Sequence, residues 1–263
     1  MTTAEAHPAA TTDLLDRFLT GLHEALPAPF SLWAHGSLAG GDYQEGRSDL
    51  DLIAVVPHPL EPDEETRLAT LHEGIDAELP LAAHLHCSYM PHGEDLDDPD
   101  RTHFTWAHRE AYARTVTPIT RRELHAYGLV LHGDPIAGTL PPVDDRTLRE
   151  YILTDLAGYW RPRTGRPELW LENVWVDLGM MVLARATVTL RDGTLISKAE
   201  ALAVLTELGA PADVVADIER RRYEGGPADT APDPGWLARR AELTLDWLVP
   251  ALDRTVAEHT ADS

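Results

Sequence analysis

His35-Gly36-Ser37 is followed, eleven residues beyond Ser37, by Ser48-Asp49-Leu50-Asp51 and then by the apolar run Leu52-Ile53-Ala54-Val55-Val56. In an extended strand, side chains two apart point to the same face, so Asp49 and Asp51 present two carboxylates together while Leu50, Leu52 and the aliphatics behind them anchor the strand in a core. Two adjacent carboxylates suit Mg²⁺, which takes one or two protein carboxylates and completes its shell with substrate phosphates. A glycine allows close backbone approach, and a hydroxyl beside freed N–H groups at a turn into a helix can bind a phosphate oxygen. The pattern therefore reads as a metal-dependent nucleotidyl-transfer site. The plainer alternative is a strand with two solvent-facing acids after an ordinary Gly/Ser turn.

Outward from this stretch the periodicities predict an amphipathic helix from Leu14 to Leu26 capped by Thr12 or Asp13, and strands over 30–34, 49–56 and 82–90. A helix is expected between the last two strands, over 61–79. Residues 1–11, rich in Ala and Thr, are expected to be disordered, and the acidic tract Glu94–Asp100 and the stretch Gly225–Pro234 to be loops. Pro141-Pro142 breaks the chain, and helical patterns dominate beyond it, over 143–160, 170–190, 198–209, 211–222 and 235–257. Two domains follow, 1–142 and 143–263, a division that 263 residues accommodate with a core for each.

An apolar content of 43% and a charged content of 25% are those of a soluble globular protein. The formal charge of −22 argues against a nucleic-acid or anionic-membrane partner and is compatible with steering a polycationic molecule. One cysteine, Cys87, excludes an intrachain disulfide and suits a reducing compartment. No segment has the apolar length of a membrane span, and the amino terminus lacks the basic-then-apolar pattern of a signal peptide, so a cytoplasmic protein is expected. His103, His108, His125 and His132 show no zinc-site spacing.

The Gly-Ser and Asp-x-Asp elements resemble the signature of the polymerase-β-like nucleotidyltransferase superfamily, and the chain from about 15 to 250 is similar to the aminoglycoside adenylyltransferases that modify streptomycin and spectinomycin. The resemblance implies an α/β (α+β) nucleotidyltransferase domain with a mixed sheet, followed by an α-helical bundle. It implies Asp49 and Asp51 as Mg²⁺ ligands, Gly36, Ser37 and Ser48 as the triphosphate cradle, and ATP as co-substrate. Gly128–Pro135 resembles the short buried segment that closes the first domain in this family. The segment from Met180 to Lys198 resembles its helix, turn and Ser/Pro-Lys element. By that match Arg185 and Lys198 reach the triphosphate, and Tyr223 lies near the nucleotide; cations there would stabilise negative charge on departing pyrophosphate.

The sequence departs from the family at the third carboxylate. Leu85-His86-Cys87-Ser88 sits where the family carries a glutamate that activates the acceptor hydroxyl, and His86 takes its place, with His84 expected on the same face. An imidazole is a competent general base near neutral pH, so the change either preserves adenylyl transfer or marks its loss. Asp76 and Glu78 are alternative carboxylates should the register differ. For the acceptor, a cationic small molecule resembling an aminoglycoside, the resemblance points to Trp160 and Glu168, with Glu172 and Asp177 on the following turns; the tryptophans 160, 170 and 175 could equally be core residues.

The expected activity is transfer of AMP from MgATP to an aminoglycoside or aminocyclitol hydroxyl, by a monomer. The rival readings are a nucleotidyltransferase with another small-molecule acceptor, and a nucleotide binder that has lost catalysis. A toxin-neutralising transferase that modifies a partner protein fits less well, because those are usually single small domains.

Overall fold

The computed structural model describes residues 7–26, 28–93, 98, 100–224 and 233–260, and the chain divides into two compact units, Met1–Val143 and Asp144–Ser263. In the first unit the chain runs through α1 (Ala9–Ala25), β1 (Ser31–Ala34), α2 (Gly36–Ala39), β2 (Leu50–Val56), α3 (Pro62–Glu78), β3 (Leu85–Pro91), β4 (Thr102–Ala107), β5 (Glu110–Thr115), α4 (Pro118–Tyr127) and β6 (Leu129–His132). The strands form one mixed six-stranded sheet in the order β5-β4-β3-β2-β1-β6. β2 and β3 pair in parallel, which requires a crossover connection, and α3 supplies it. The neighbouring pairs are antiparallel.

Strand alternation divides the core. Leu32, Leu50, Leu52, Ala54, Leu85, Cys87 and Tyr89 pack with Leu14, Phe18 and Leu22 of α1 and Leu68 and Ile75 of α3. Trp33, Ile53, Val55 and Met90 face the other way, onto Val116, Leu124 of α4, Ile136 and Leu140. β2 is therefore buried on both faces and reads as an almost unbroken aliphatic run.

Several expectations need correction. Helix α1 begins at Ala9 rather than after residue 11: Thr11 is fully buried, and both its amide and its hydroxyl donate to Glu45 Oε2, so part of the supposedly disordered stretch is tied down. Residues 1–6 lie outside the described residues, as do Glu94–Asp97 and Pro99 of the acidic tract and residues 225–232. Pro80 opens a 3₁₀ turn, Pro80–His84, so the third strand starts at Leu85 rather than at residue 82, and His84 reaches the side of His86 from that turn. The segment at Gly128–Pro135 contains β6, an edge strand beside β1 that is half-exposed rather than buried, with Val130 46% exposed. Strands β4 and β5 and helix α4 were not legible; β5 is solvent-facing at most positions, so no apolar alternation marks it.

The second unit is helical: α5 (Asp145–Asp155) continues through a π-turn, Leu156–Trp160, into the short α6 (Arg161–Arg163), followed by α7 (Asn173–Asp192), α8 (Lys198–Glu207), α9 (Ala212–Tyr223) and α10 (Pro234–Thr260). The Asp144 carboxylate caps α5 by accepting from the Thr147 amide at 2.7 Å, and Ser197 and Glu200 form a reciprocal capping box on α8. Gly179 on α7 makes room for Trp170, whose ring would lie 2.6 Å from a Cβ at that position; Trp170 is fully buried.

Charge as well as apolar surface holds this unit together. Arg240, 1% exposed, donates to Asp217 Oδ2 at 3.1 Å, to Asn173 Oδ1 at 2.6 Å and to the Leu171 carbonyl at 3.2 Å. Arg221 joins Asp217 at 2.9 Å and clamps both Asp177 oxygens at 2.6 Å, so α7, α9 and α10 share one network. Burial pushes the Asp217 carboxyl up, but Arg221 and Arg240 outweigh it and hold the group below the usual carboxylate range. Removing one partner strands the other charge, so Asp217→Asn should destabilise the protein by roughly 3 kcal/mol in urea denaturation at neutral pH. Because the folded carboxyl titrates below its unfolded value of about 4, its contribution is present above that pH and is lost as pH falls through the lower folded value. The variant should accordingly show a shallower stability loss on acidification than the parent.

Candidate active site

The turn from β1 into α2 brings backbone and carboxylate together. His35 donates its amide to the Asp51 carbonyl at 3.0 Å, and Gly36 follows at φ +62°, a conformation that favours glycine. A Cβ on Gly36 would lie 2.7 Å from Asp51 Oδ2, so a side chain there would have to push the carboxylate aside in addition to adopting the unfavourable dihedral. Ser37, half-buried in α2, accepts the Asp42 amide on its carbonyl at 3.0 Å. Ser48 is buried, and its hydroxyl accepts the Gln44 amide at 3.1 Å; it closes the loop that delivers Asp49. The His35 ring, Nδ1 3.2 Å from Glu123 Oε2, braces the turn against α4.

The parallel register sets Asp51 directly beside His86. His86 Nδ1 lies 3.6 Å from Asp51 Oδ1 and Nε2 lies 3.8 Å from Asp49 Oδ1, while His84 Nδ1 stands 3.6 Å from the same Asp49 oxygen. The carboxylates are 43% and 30% exposed, whereas the His86 side chain is 7% exposed. Nε2 of His86 is buried and hydrogen-bonded to no protein atom among the described residues, an uncommon arrangement that is found at catalytic groups. The ring of His108 packs on that of His86, centroids 4.6 Å apart and planes at 69°. Ser88, two residues further along β3, accepts the Thr105 hydroxyl at 2.8 Å, and a small pocket bounded by His35, Asp51, His86, Ser88, Thr105 and Arg114 lies beside the cluster.

Asp76 and Glu78 sit on α3, where Arg109 holds the first at 3.0 Å and Arg17 the second. Among the described residues no group of three or more His, Cys, Asp and Glu side chains is arranged to hold a metal ion. Two half-exposed carboxylates beside a glycine turn nevertheless fit Mg²⁺, which seeks one or two carboxylates and keeps its other positions for water and phosphate. Cys87, fully buried behind the site, has its thiol pushed up to about 12 by burial and is unsuited to nucleophilic work.

The remaining candidates lie in the helical unit. Arg185 Nε donates to the Ile196 carbonyl at 2.8 Å, which brings Arg185 on α7 near Lys198, the first residue of α8. Tyr223 ends α9, its hydroxyl accepting from Arg222 Nε at 3.1 Å. Trp160 is buried, its Nε1 donating to Asp155 and its ring packed between Tyr159 and Trp175. Glu168 is exposed and paired with Arg166 at 3.1 Å, Glu172 is exposed at the start of α7, and Asp177 is clamped by Arg221. Sequence reasoning missed the His35–Glu123 brace and the His108 contact; neither carries a spacing signal, because each partner arrives from a distant element.

Gly36→Ala and Gly46→Ala separate space from dihedral. Both residues have positive φ, but a Cβ at Gly46 meets nothing within 4 Å. Each should lose about 1–2 kcal/mol for the left-handed conformation, and Gly36→Ala should lose measurably more in urea denaturation because it must also displace Asp51.

Residues 15–94 match the family model described as "Nucleotidyltransferase domain". No curated protein matches the chain in a sequence search. Among solved structures, the chain is similar to spectinomycin adenyltransferase AAD(9) from Enterococcus faecialis, solved with ATP and spectinomycin, at a TM-score of 0.69 and 15% identity, over 92% of this chain and 99% of that one. That likeness is one of fold: a mixed-sheet nucleotidyltransferase unit and a helical carboxy-terminal unit. With Gly36-Ser37 and Asp49-x-Asp51 inside the matched segment, the chain carries a nucleotidyltransferase domain and is an enzyme of the nucleotidyltransferase type.

Proposed function

We propose that the protein transfers AMP from MgATP to a hydroxyl of an aminoglycoside or aminocyclitol and releases pyrophosphate. The observation that carries the reading is the His86 imidazole set beside Asp49 and Asp51 with one buried ring nitrogen unsatisfied. Asp49 and Asp51 would hold Mg²⁺, which when bound neutralises charge on the phosphates and aligns the α-phosphorus. Gly36 and Ser37 bring backbone and hydroxyl to the phosphates, and His86 accepts the proton of the acceptor hydroxyl as that oxygen attacks. The oxygen–phosphorus bond forms as the bond to pyrophosphate breaks. Ser48 supports this cradle by fixing the loop before Asp49.

For Arg185, Lys198 and Tyr223 as nucleotide-binding groups the support is the resemblance. The cationic acceptor is supported by the formal charge of −22 and by the ligand named for the structural neighbour. Of the four acceptor candidates, Glu168 and Glu172 are the exposed carboxylates, whereas Asp177 already serves Arg221 and Trp160 is enclosed. Among the described residues no helix is long and apolar enough to cross a membrane.

A second reading has its own observation: both His86 nitrogens face aspartates and the side chain is nearly closed to solvent, as in a residue that organises carboxylates rather than one that meets an acceptor. The protein would then bind nucleotide without efficient transfer.

Pyrophosphate release with MgATP against streptomycin, spectinomycin and other aminoglycosides tests the proposal. Release with one acceptor is expected, falling to background in Asp49→Asn with the circular dichroism spectrum unchanged. His86→Ala should reduce turnover by about 10²–10⁴-fold. Silence across the panel, with MgATP binding intact by calorimetry and turnover appearing in His86→Glu, would favour the binder.

A further inference from the structure

The β4–β5 hairpin turns through two residues, His108 and Arg109, closed by the pair Ala107 and Glu110. Both have positive φ, 54° and 64°, as a two-residue hairpin of the I′ type requires. Asn and Gly are the residues that meet this requirement most cheaply; histidine is tolerated there, but the long side chain of Arg109 is an uncommon occupant. Backbone strain of this kind persists only where the surroundings hold it, and it collects at functional sites. Two contacts hold this turn. Arg109 Nε donates to Asp76 Oδ1 on α3 at 3.0 Å, and the His108 ring packs on His86.

We infer that His108 is a positioning residue for the nucleotidyl-transfer site, fixing the rotation of the His86 imidazole between Asp49 and Asp51. Among the described residues Nε2 of His86 makes no hydrogen bond, and the ring nitrogens stand 3.6 and 3.8 Å from the nearest carboxylate oxygens, beyond hydrogen-bond reach. With no such bond to set the ring torsion, the near edge-to-face contact with His108 is what selects one orientation. The register makes this contact a built one. Cys87 pairs with Trp106 and Ser88 with Thr105, the latter locked by the hydroxyl hydrogen bond, so the tip of the hairpin arrives beside His86. The Arg109 anchor then keeps the tip from swinging away.

The inference rests on the site assignment but not on turnover, and the test separates the two. In the full-length protein, ¹³C relaxation of the His86 ring, identified by its disappearance in His86→Gln, reports whether the imidazole is ordered. His108→Asn suits the positive φ better but removes the aromatic face; His108→Phe keeps the face. The expected result is that His108→Asn keeps or raises the melting temperature while the His86 ring becomes mobile, and that His108→Phe leaves the ring ordered. Where transfer is measurable, His108→Asn should lower kcat by about tenfold to a hundredfold with the KM for ATP unchanged, as a misplaced group does. His108→Phe should recover most of that loss. An equally ordered His86 ring in His108→Asn, or mobility in both variants, overturns the inference. Should no acceptor be found, the relaxation data alone decide it, so failure of the transferase reading and failure of this one remain distinct.

Discussion

The parallel pairing of β2 with β3 is the constraint on which the site depends. It sets Asp51 opposite His86, carries Asp49 to the end of the same strand, and leaves the odd residues of β2 and the even residues of β3 on one face. A slip of one residue would turn every one of these side chains into the other core. Burial enforces the register: Leu50, Leu52 and Ala54 are held under α1 and α3, and Ile53 and Val55 under the opposite layer, so neither face of β2 can be exchanged for the other. The catalytic geometry is thus secured by apolar packing a few residues away from it.

Around that pair the protein brings groups in from three other elements, each at a cost in local conformation. Gly36 adopts positive φ so that the backbone can pass Asp51, His35 is braced by Glu123 from α4, and the β4–β5 hairpin places two non-glycine residues at positive φ to set His108 on His86. Behind the site the groups are neutral and fixed. Burial pushes the His72 imidazole down to about 3, with His86 a lesser cause, while its Nε2 bonds the Tyr89 hydroxyl and its ring stacks on Trp106. Beside the aspartates stand the imidazoles of His84 and His86, with His108 one layer out and the His35–Glu123 pair at the glycine turn.

The two units use different cohesion. The first relies on a sheet with apolar layers on both faces, the second on helices joined partly by a buried Arg–Asp network whose members lose far more if one is removed than the intact network adds. That network also takes Asp177 out of the pool of carboxylates open to a cationic ligand, a fact invisible from its place on the helix.

The sequence by itself determined what rests on short-range rules. The Gly-Ser turn, the Asp-x-Asp strand, the helix between the second and third strands and the run of helices after Pro142 are readable because period-2 and period-3.6 patterns, caps and breakers act within a few residues; Asp49 and Asp51 were named from such patterns, and His86 from the family resemblance. It misjudged Ala9–Thr11, where a tertiary bond to Glu45 orders the chain, the start of the third strand, where Pro80 imposes a 3₁₀ turn over residues 80–84, and Val130, which lies on an edge. Only the tertiary structure decided which carboxylates are already spoken for, that Trp160 is enclosed, and that His35 and His108 belong to the site. These depend on elements tens of residues apart meeting in space, and a side chain's partners across such distances follow from packing, not from its neighbours in the chain.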